Sequence, residues 1–143
     1  MDKTHPPTSF GVFKPVGHTV IAFYTEAELQ SAVQALKALG FVESDMVRYS
    51  ATEMAAMIDA ELKVANPWSN IGSELDLMRG HWELAQKGCS FLVVEAASNE
   101  LADKVTALVH TIQPASALRY RQLIIENLTA KLPGRMGEGK ADA

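Results

Sequence analysis

The sequence predicts an α+β fold in which one sheet is built from two strand–helix units. Ser90–Ala97 is the most apolar β-type run of the chain, and Phe91–Val94 within it leave no polar face. Such a strand is typically covered on both sides, or packs one face on a core and the other on a partner. A helical pattern follows over Ser98–Ile112. The same order of strand and helix occurs earlier, over Val20–Tyr24 and Glu26–Leu39.

The two units repeat at an offset of 72 residues, the distance from Val20 to Leu92. Strand and helix positions of one unit then coincide with apolar positions of the other: Val20 with Leu92, Leu29 with Leu101, Val33 with Val105, and Leu36 with Leu108. This repeat predicts two equivalent halves around a common sheet.

The first helix has recognisable ends. Thr25 and Glu28 have the spacing of a capping box, in which each side chain accepts a backbone N–H of the other residue. Gly40 follows the apolar stripe and can adopt the positive φ that ends many helices. In the next segment, Phe41–Tyr49, apolar pairs flank a polar turn. We therefore expect a strand with a turn or bulge at an edge of the sheet.

A helical hairpin is predicted between the two halves. Ser50 and Glu53 form a second capping box at its start, and Asn66-Pro67 interrupts the helical pattern. The second helix carries apolar residues in steps of four and three, which is typical of a helix–helix seam: Ile71, Leu75, Met78, Trp82 and Ala85. Residues 51–87 are therefore interpreted as an inserted αα-hairpin.

The last elements follow Pro114, which breaks the preceding helix. Leu118 and Tyr120 predict a final strand, and Ile125–Leu132 is interpreted as a short helix. We expect one domain over residues 18–128, preceded by an extended arm (1–17) that is rich in proline and glycine. Residues 129–143 have the composition of a flexible tail.

The order β-α-β, αα-hairpin, β-α-β predicts a ferredoxin-like split βαβ sandwich with the hairpin inserted between its halves. In that arrangement the first and third strands are central, and these are the two most apolar strands here. The alternative is an open parallel α/β sheet. The absence of a glycine-rich βα loop disfavours it.

Several segments resemble the bacterial general-stress or heat-induced stress protein domain family. The resemblance covers about residues 19–128 and rests on four segments: Val20-Ile21-Ala22, Leu39-Gly40-Phe41, Gly88 before Phe91-Leu92-Val93-Val94, and Tyr120 with Ile125-Glu126. It implies a ferredoxin-like fold and a role in stress. It implies no catalytic residue.

Composition excludes several classes of partner. The net charge of −4 argues against nucleic acid, since phosphate binding needs clustered Lys and Arg. No apolar run approaches the ~20 residues that a membrane span needs, and the N-terminus has no apolar signal-peptide segment. The single cysteine cannot form an intramolecular disulfide. We therefore expect a cytoplasmic protein without a nucleic-acid or membrane partner.

Glu61, Glu74 and His81 form the main candidate site for chemistry. On a helical projection, Glu74 and His81 lie beside the hairpin seam with leucines beyond them, and Glu61 has a similar position on the preceding helix. The three could meet and hold a divalent metal such as Zn²⁺, Mn²⁺ or Fe²⁺, or another ligand. The Glu-x-x-His spacing of bundle metal sites is absent. The simpler interpretation is a Glu–His hydrogen bond at the rim, or solvated side chains.

Trp68 and Trp82 make the hairpin rich in large side chains. Core packing is the simpler interpretation. The alternative is a ligand-binding surface or a homodimer interface, where aromatic residues are enriched. Cys89 is interpreted as a small buried hydrophobe, and His110 as a surface residue.

Two functional hypotheses remain open. The first is a non-catalytic, dimeric binding or stress-associated module, because no catalytic motif is recognisable. The second is a metal- or ligand-binding protein, or an enzyme, that uses Glu61, Glu74 and His81.

Overall fold

The computed structural model describes residues 17–64, 73–121 and 125–129, together with Lys3, residues 8–9 and residues 12–13. The side chains of residues 61–64 and 73–75 lie outside this description. Within these ranges, a five-stranded antiparallel sheet combines with helices, which confirms the predicted α+β class. No described helix has the length and apolar character needed to cross a bilayer.

The strands and helices are numbered in chain order. The strands are β1 (Thr8–Ser9), β2 (Val12–Phe13), β3 (His18–Phe23), β4 (Met46–Tyr49), β5 (Ser90–Glu95), β6 (Ser116–Tyr120) and β7 (Ile125–Asn127). The helices are α1 (Glu26–Ala38), α2 (Ala51–Val64), α3 (Ser73–Gln86) and α4 (Asn99–Ile112). A short 3-10 turn, Glu43–Asp45, precedes β4.

The sheet has the order β4-β5-β3-β6-β7. Strands β3 and β5 pair along their whole lengths, from His18 opposite Glu95 to Phe23 opposite Ser90. The predicted central position of these two strands is therefore confirmed. The edge position of the strand in Phe41–Tyr49 and the turn within that segment are confirmed as well.

Helices α1 and α4 cover one face of the sheet, which we call the helix-pair face. Side chains of β3 and β5 alternate between the two faces because the strand period is two residues. Ile21 and Phe23 on β3, with Leu92 and Val94 on β5, point to the helix-pair face. They pack there against α1 and α4 residues: Leu29, Ala32, Val33, Leu36, Val105 and Val109.

The helical hairpin α2–α3 covers the opposite face, which we call the hairpin face. Val20 and Ala22 of β3 and Phe91 and Val93 of β5 pack there with α2 and α3 residues such as Met54, Ile58 and Ala85. The inserted hairpin is thus a third layer, and the central strands have no polar face because each face meets a helical layer.

The two predicted capping boxes are confirmed. Thr25 Oγ1 accepts from the Glu28 N–H at 3.1 Å, and Glu28 Oε1 accepts from the Thr25 N–H at 3.1 Å. Ser50 and Glu53 make the same reciprocal pair at the start of α2, at 3.1 and 2.8 Å. Gly40 ends α1 with φ +105°, as predicted from its sequence position.

The repeat offset of 72 is wrong by one residue. It aligns Val20, which points to the hairpin face, with Leu92, which points to the helix-pair face. A shift of one residue reverses the face of every strand side chain. An offset of 73 matches both units, because it aligns the N-caps Thr25 and Ser98. It also pairs residues that share a face: Val20 with Val93, and Leu36 with Val109.

The C-terminal helix predicted over Ile125–Leu132 is also wrong where the structure describes that segment. Ile125–Asn127 forms strand β7, which pairs antiparallel with β6 through Arg119 opposite Glu126. The Leu128 N–H then donates to the Ala117 carbonyl at 2.9 Å. Pairing with an edge strand satisfies these backbone groups, and a segment of this size has no helical signal strong enough to compete.

The N-terminal arm contains a short hairpin that the sequence did not predict. Strands β1 and β2 pair antiparallel, and β2 lies against α2. Lys3 Nζ contacts Glu53 Oε1 at 2.8 Å and lies 5.9 Å from the centre of the Tyr49 ring. The described part of the arm therefore packs on the start of the hairpin layer.

Removing the first capping box tests how much local structure supports the helix-pair face. Thr25→Ala should lower the free energy of unfolding by about 1 kcal/mol, because the Glu28 N–H in the first turn loses its acceptor. Urea unfolding followed by circular dichroism measures the change. Thr52→Ala is the matched control, because Thr52 is an exposed residue inside α2. Equal stability of Thr25→Ala and wild type would contradict the role of the cap.

Candidate functional site

His81 lies against the sheet. It is 4% exposed, and its Nε2 is 3.0 Å from Ser116 Oγ at the start of β6. Its ring meets Phe91 of β5 edge-on, with ring centres 5.5 Å apart. His81 is therefore neither at a solvated rim nor in solvent. It anchors α3 on the hairpin face of the sheet.

Burial determines the protonation state of His81. Desolvation lowers the pKa of the His81 imidazole to about 4, because the charged form loses its hydration. The ring is thus neutral at physiological pH, and one hydrogen bond to Ser116 suits a neutral imidazole. A general base works best with a pKa near the operating pH, so this Ser–His pair is a structural contact.

Of the other predicted site residues, only Trp82 has a side chain that the structure describes. Trp82 is half-buried and packs on the hairpin-face core, and its Nε1 is buried without a hydrogen-bond partner among the described residues. Trp68 and the side chains of Glu61 and Glu74 lie outside the described residues. The metal site at Glu61, Glu74 and His81 and the ligand-binding role of Trp68 and Trp82 therefore stay predictions. A metal on His81 Nε2 would have to replace the Ser116 hydroxyl.

Cys89 is buried, as the sequence predicts. Desolvation raises the pKa of its thiol, so the nucleophilic thiolate is disfavoured. His110 is exposed on α4, which confirms its interpretation as a surface residue.

A cleft of about 450 Å³ opens at the other end of the sheet, beside the start of α4. We call it the α4 cleft. It is formed where β3 begins, where β5 has passed into α4 and where β6 ends. Its lining includes Gly17, Ser98, Ala102, Arg119 and Arg121.

Gly17 shapes the α4 cleft through its backbone. Its N–H donates to the Tyr120 carbonyl at 2.9 Å, and its carbonyl accepts from the Ala96 N–H at 3.2 Å. These bonds tie the ends of β5 and β6 together across the start of β3. Gly17 has φ +83°, a conformation that residues with a Cβ rarely adopt.

Arg119 is the buried charge of the α4 cleft. It extends from β6 toward the helix-pair face and is 6% exposed. Its Nη1 donates to Asp103 Oδ1 at 3.0 Å and lies 3.5 Å from Thr106 Oγ1. Both partners are on α4, so the guanidinium joins that helix to the sheet.

The other polar groups that line the α4 cleft are cationic or neutral. Arg121 is about half exposed, and its Nε lies 3.6 Å from Glu126 Oε1. Ser98 Oγ accepts the Leu101 N–H at 3.2 Å and so caps α4. The N–H groups of the first turn and the helix dipole add positive potential there. No carboxylate is among the described residues that line the α4 cleft.

No pattern in the sequence predicts the α4 cleft as a whole. The position of Arg119 in the sequence could have indicated part of it. Arg119 lies two residues after Ala117, so a strand places both side chains on the same, core-facing side. An arginine at a core position of an apolar strand indicates a partner or a ligand. The contribution of Gly17 had no such signal, because it depends on how three strand ends meet.

Comparison with known proteins returned no relatives. No protein-family model, no curated protein and no solved structure matches this chain.

The buried histidine predicts a pH dependence of stability. The pKa of His81 is about 4 in the folded protein, below its ordinary value of 6.5. The unfolded chain therefore takes up this proton first as the pH falls. The free energy of unfolding should drop by up to about 1.4 kcal/mol per pH unit between these two values and level off below the lower one.

His81→Gln removes this contribution and should flatten the profile. Urea unfolding between about pH 5 and 6.5, where few carboxylates titrate, measures the slope. His110→Gln is the control and should keep the wild-type slope, because His110 is exposed on α4. Identical slopes for His81→Gln and wild type would contradict the buried, neutral state of His81.

Proposed function

We propose that the protein is a non-catalytic module that binds a small ligand in the α4 cleft. The volume of about 450 Å³ lies within the range of small-molecule sites. The single observation that carries the proposal is the buried guanidinium of Arg119 in the cleft lining, because a few placed polar groups in a concave site fix the orientation of a ligand.

The chemistry of the described side chains supports a binding role. The buried histidine is held neutral, and burial raises the pKa of the Cys89 thiol. These two groups are therefore poor candidates for general acid–base or nucleophilic catalysis. The arginines of the α4 cleft act by attracting and orienting a bound group.

The fold supports the same interpretation. We infer that β3-α1-β4 and β5-α4-β6 are the halves of a ferredoxin-like split βαβ sandwich with the α2–α3 hairpin inserted. The order β4-β5-β3-β6, the antiparallel pairing and the position of α1 and α4 on one face support this assignment. The α4 cleft then lies where the second half begins its helix, outside the sheet.

The homodimer, the cytoplasmic location and the stress setting predicted from the sequence stay predictions. The α4 cleft is formed within one chain, so the proposed binding does not depend on a dimer.

Filling the α4 cleft tests the proposed function. A panel of small metabolites is screened against the wild type by thermal shift, and each compound that stabilises it is repeated with Ala102→Leu. Ala102 lines the cleft, so the added side-chain atoms occupy ligand space and should abolish the shift. Ala107→Leu places the same side chain on an exposed position of α4 and should keep it.

Two results would overturn the proposal. In one, no compound of the panel stabilises the wild type. In the other, each stabilising compound acts equally on wild type, Ala102→Leu and Ala107→Leu, which would place its site elsewhere.

A further inference from the structure

We propose that the α4 cleft recognises an oxyanion, a carboxylate or a phosphate, and that Asp103 occupies the oxyanion position on Arg119 until the ligand arrives. This inference rests on the proposed function and names the chemical class of its ligand. It follows from the unequal burial of two paired side chains.

The two ends of the ion pair differ in exposure. The side chain of Arg119 is 7% exposed, whereas that of Asp103 is 70% exposed. A buried guanidinium needs a counter-charge, because removing its partner leaves an unpaired charge in the interior. An exposed carboxylate returns to water at little cost, since solvated ion pairs contribute little free energy. Asp103 is therefore the exchangeable member of the pair.

The Arg119 guanidinium has more donors than its contact with Asp103 uses. A guanidinium presents five N–H donors in a planar fork that matches carboxylate and phosphate oxygens. Asp103 engages the Nη1 end at 3.0 Å, and the 3.5 Å contact of the same nitrogen with Thr106 is long. Thr106 Oγ1 already donates to the Ala102 carbonyl at 3.1 Å. A ligand oxyanion that binds two donors of Arg119 would form the stronger, bidentate contact.

The surroundings of Arg119 in the α4 cleft supply further donors. The first turn of α4 and Arg121 line the same space, so an oxyanion there also meets backbone N–H groups and a second guanidinium. Glu95 and Glu100 flank the lining in the sequence but are not part of it. Each guanidinium already has one carboxylate partner outside the lining, Asp103 at 3.0 Å and Glu126 at 3.6 Å, so a ligand oxyanion would compete with these two partners.

The test uses inorganic phosphate and acetate as probes, with sodium chloride at matched ionic strength as the reference. Amide chemical shifts report binding to the full chain. We expect phosphate or acetate to shift the amides of Asn99, Glu100 and Arg119 in the wild type. The stronger of the two probes tells whether a tetrahedral or a planar oxyanion fits.

Two variants separate the roles of the pair. Arg119→Lys keeps the charge and loses the fork, and should weaken binding about tenfold. Asp103→Asn removes the competing carboxylate and should tighten binding about tenfold. The same variant should show a larger thermal shift on adding the probe than the wild type, because the probe restores a counter-charge to Arg119. Asp59→Asn, an exposed aspartate on α2, should behave as wild type.

The outcome distinguishes this inference from the proposed function. If neither probe shifts α4 cleft amides more than chloride does, or if Asp103→Asn leaves affinity unchanged, the inference is wrong. The proposed function still stands in that case if an uncharged compound loses its thermal shift in Ala102→Leu. Both fail if Ala102→Leu leaves every compound and both probes unaffected.

Discussion

The pairing of β3 with β5 is the constraint on which the rest of the structure depends. The two strands are matched along their full lengths, and Val20–Phe23 and Phe91–Val94 are almost completely buried. Burying both faces of two adjacent strands removes a large apolar surface from water. Each face needs its own cover, so one helical layer is not sufficient. Helices α1 and α4 supply one cover, and the inserted hairpin supplies the other.

Both candidate polar sites include a residue of β6, the strand that lies next to β3 in the sheet. Ser116 points to the hairpin face and holds His81, whereas Arg119 points to the helix-pair face and holds Asp103. The strand alternates its side chains, so one short segment anchors a helix on each side of the sheet. The two anchors differ in chemistry. The first is neutral and buried, and the second joins a buried charge to an exposed one.

This difference in burial and charge determines which of the two anchors is suited to ligand binding. His81 and its hydroxyl partner are enclosed by the hairpin layer, so their interaction contributes to folding. The partner of Arg119 is exposed, and the guanidinium lines an open cleft. An interaction that exchanges one partner for a ligand needs this asymmetry, because a fully buried pair would lose too much stability on opening.

The sequence predicted those parts of the fold that local chemistry determines. Capping residues Thr25 and Ser50 mark the helix starts, and the unbroken apolar run at Phe91–Val94 marks a strand covered on both sides. The face of each strand residue was harder to predict, because four consecutive apolar residues, Phe91–Val94, do not show which of them share a face. The pairing of β7 and the closure of the α4 cleft depend on contacts between distant segments, for which a single sequence carries no local pattern.

The α4 cleft was not predicted from the sequence for the same reason, and neither was the partner of His81. His81 was singled out by its position beside an apolar seam, but its partner Ser116 lies 35 residues away on a strand that packs beneath the helix. Arg119 contributes to the sequence prediction only through the net charge. Its core-facing position becomes evident once β6 is paired in register with β3, where Arg119 lies opposite Thr19.

The most direct test of the three-layer arrangement compares Phe91→Ala with Leu92→Ala by equilibrium unfolding. These neighbours are both fully buried, and they point to the hairpin face and the helix-pair face respectively. If both faces are covered, Phe91→Ala should lower the free energy of unfolding by about 3–5 kcal/mol and Leu92→Ala by about 2–5 kcal/mol. A loss below about 0.5 kcal/mol for either variant, the range of surface substitutions, would show that its face is not packed and would contradict the three-layer arrangement.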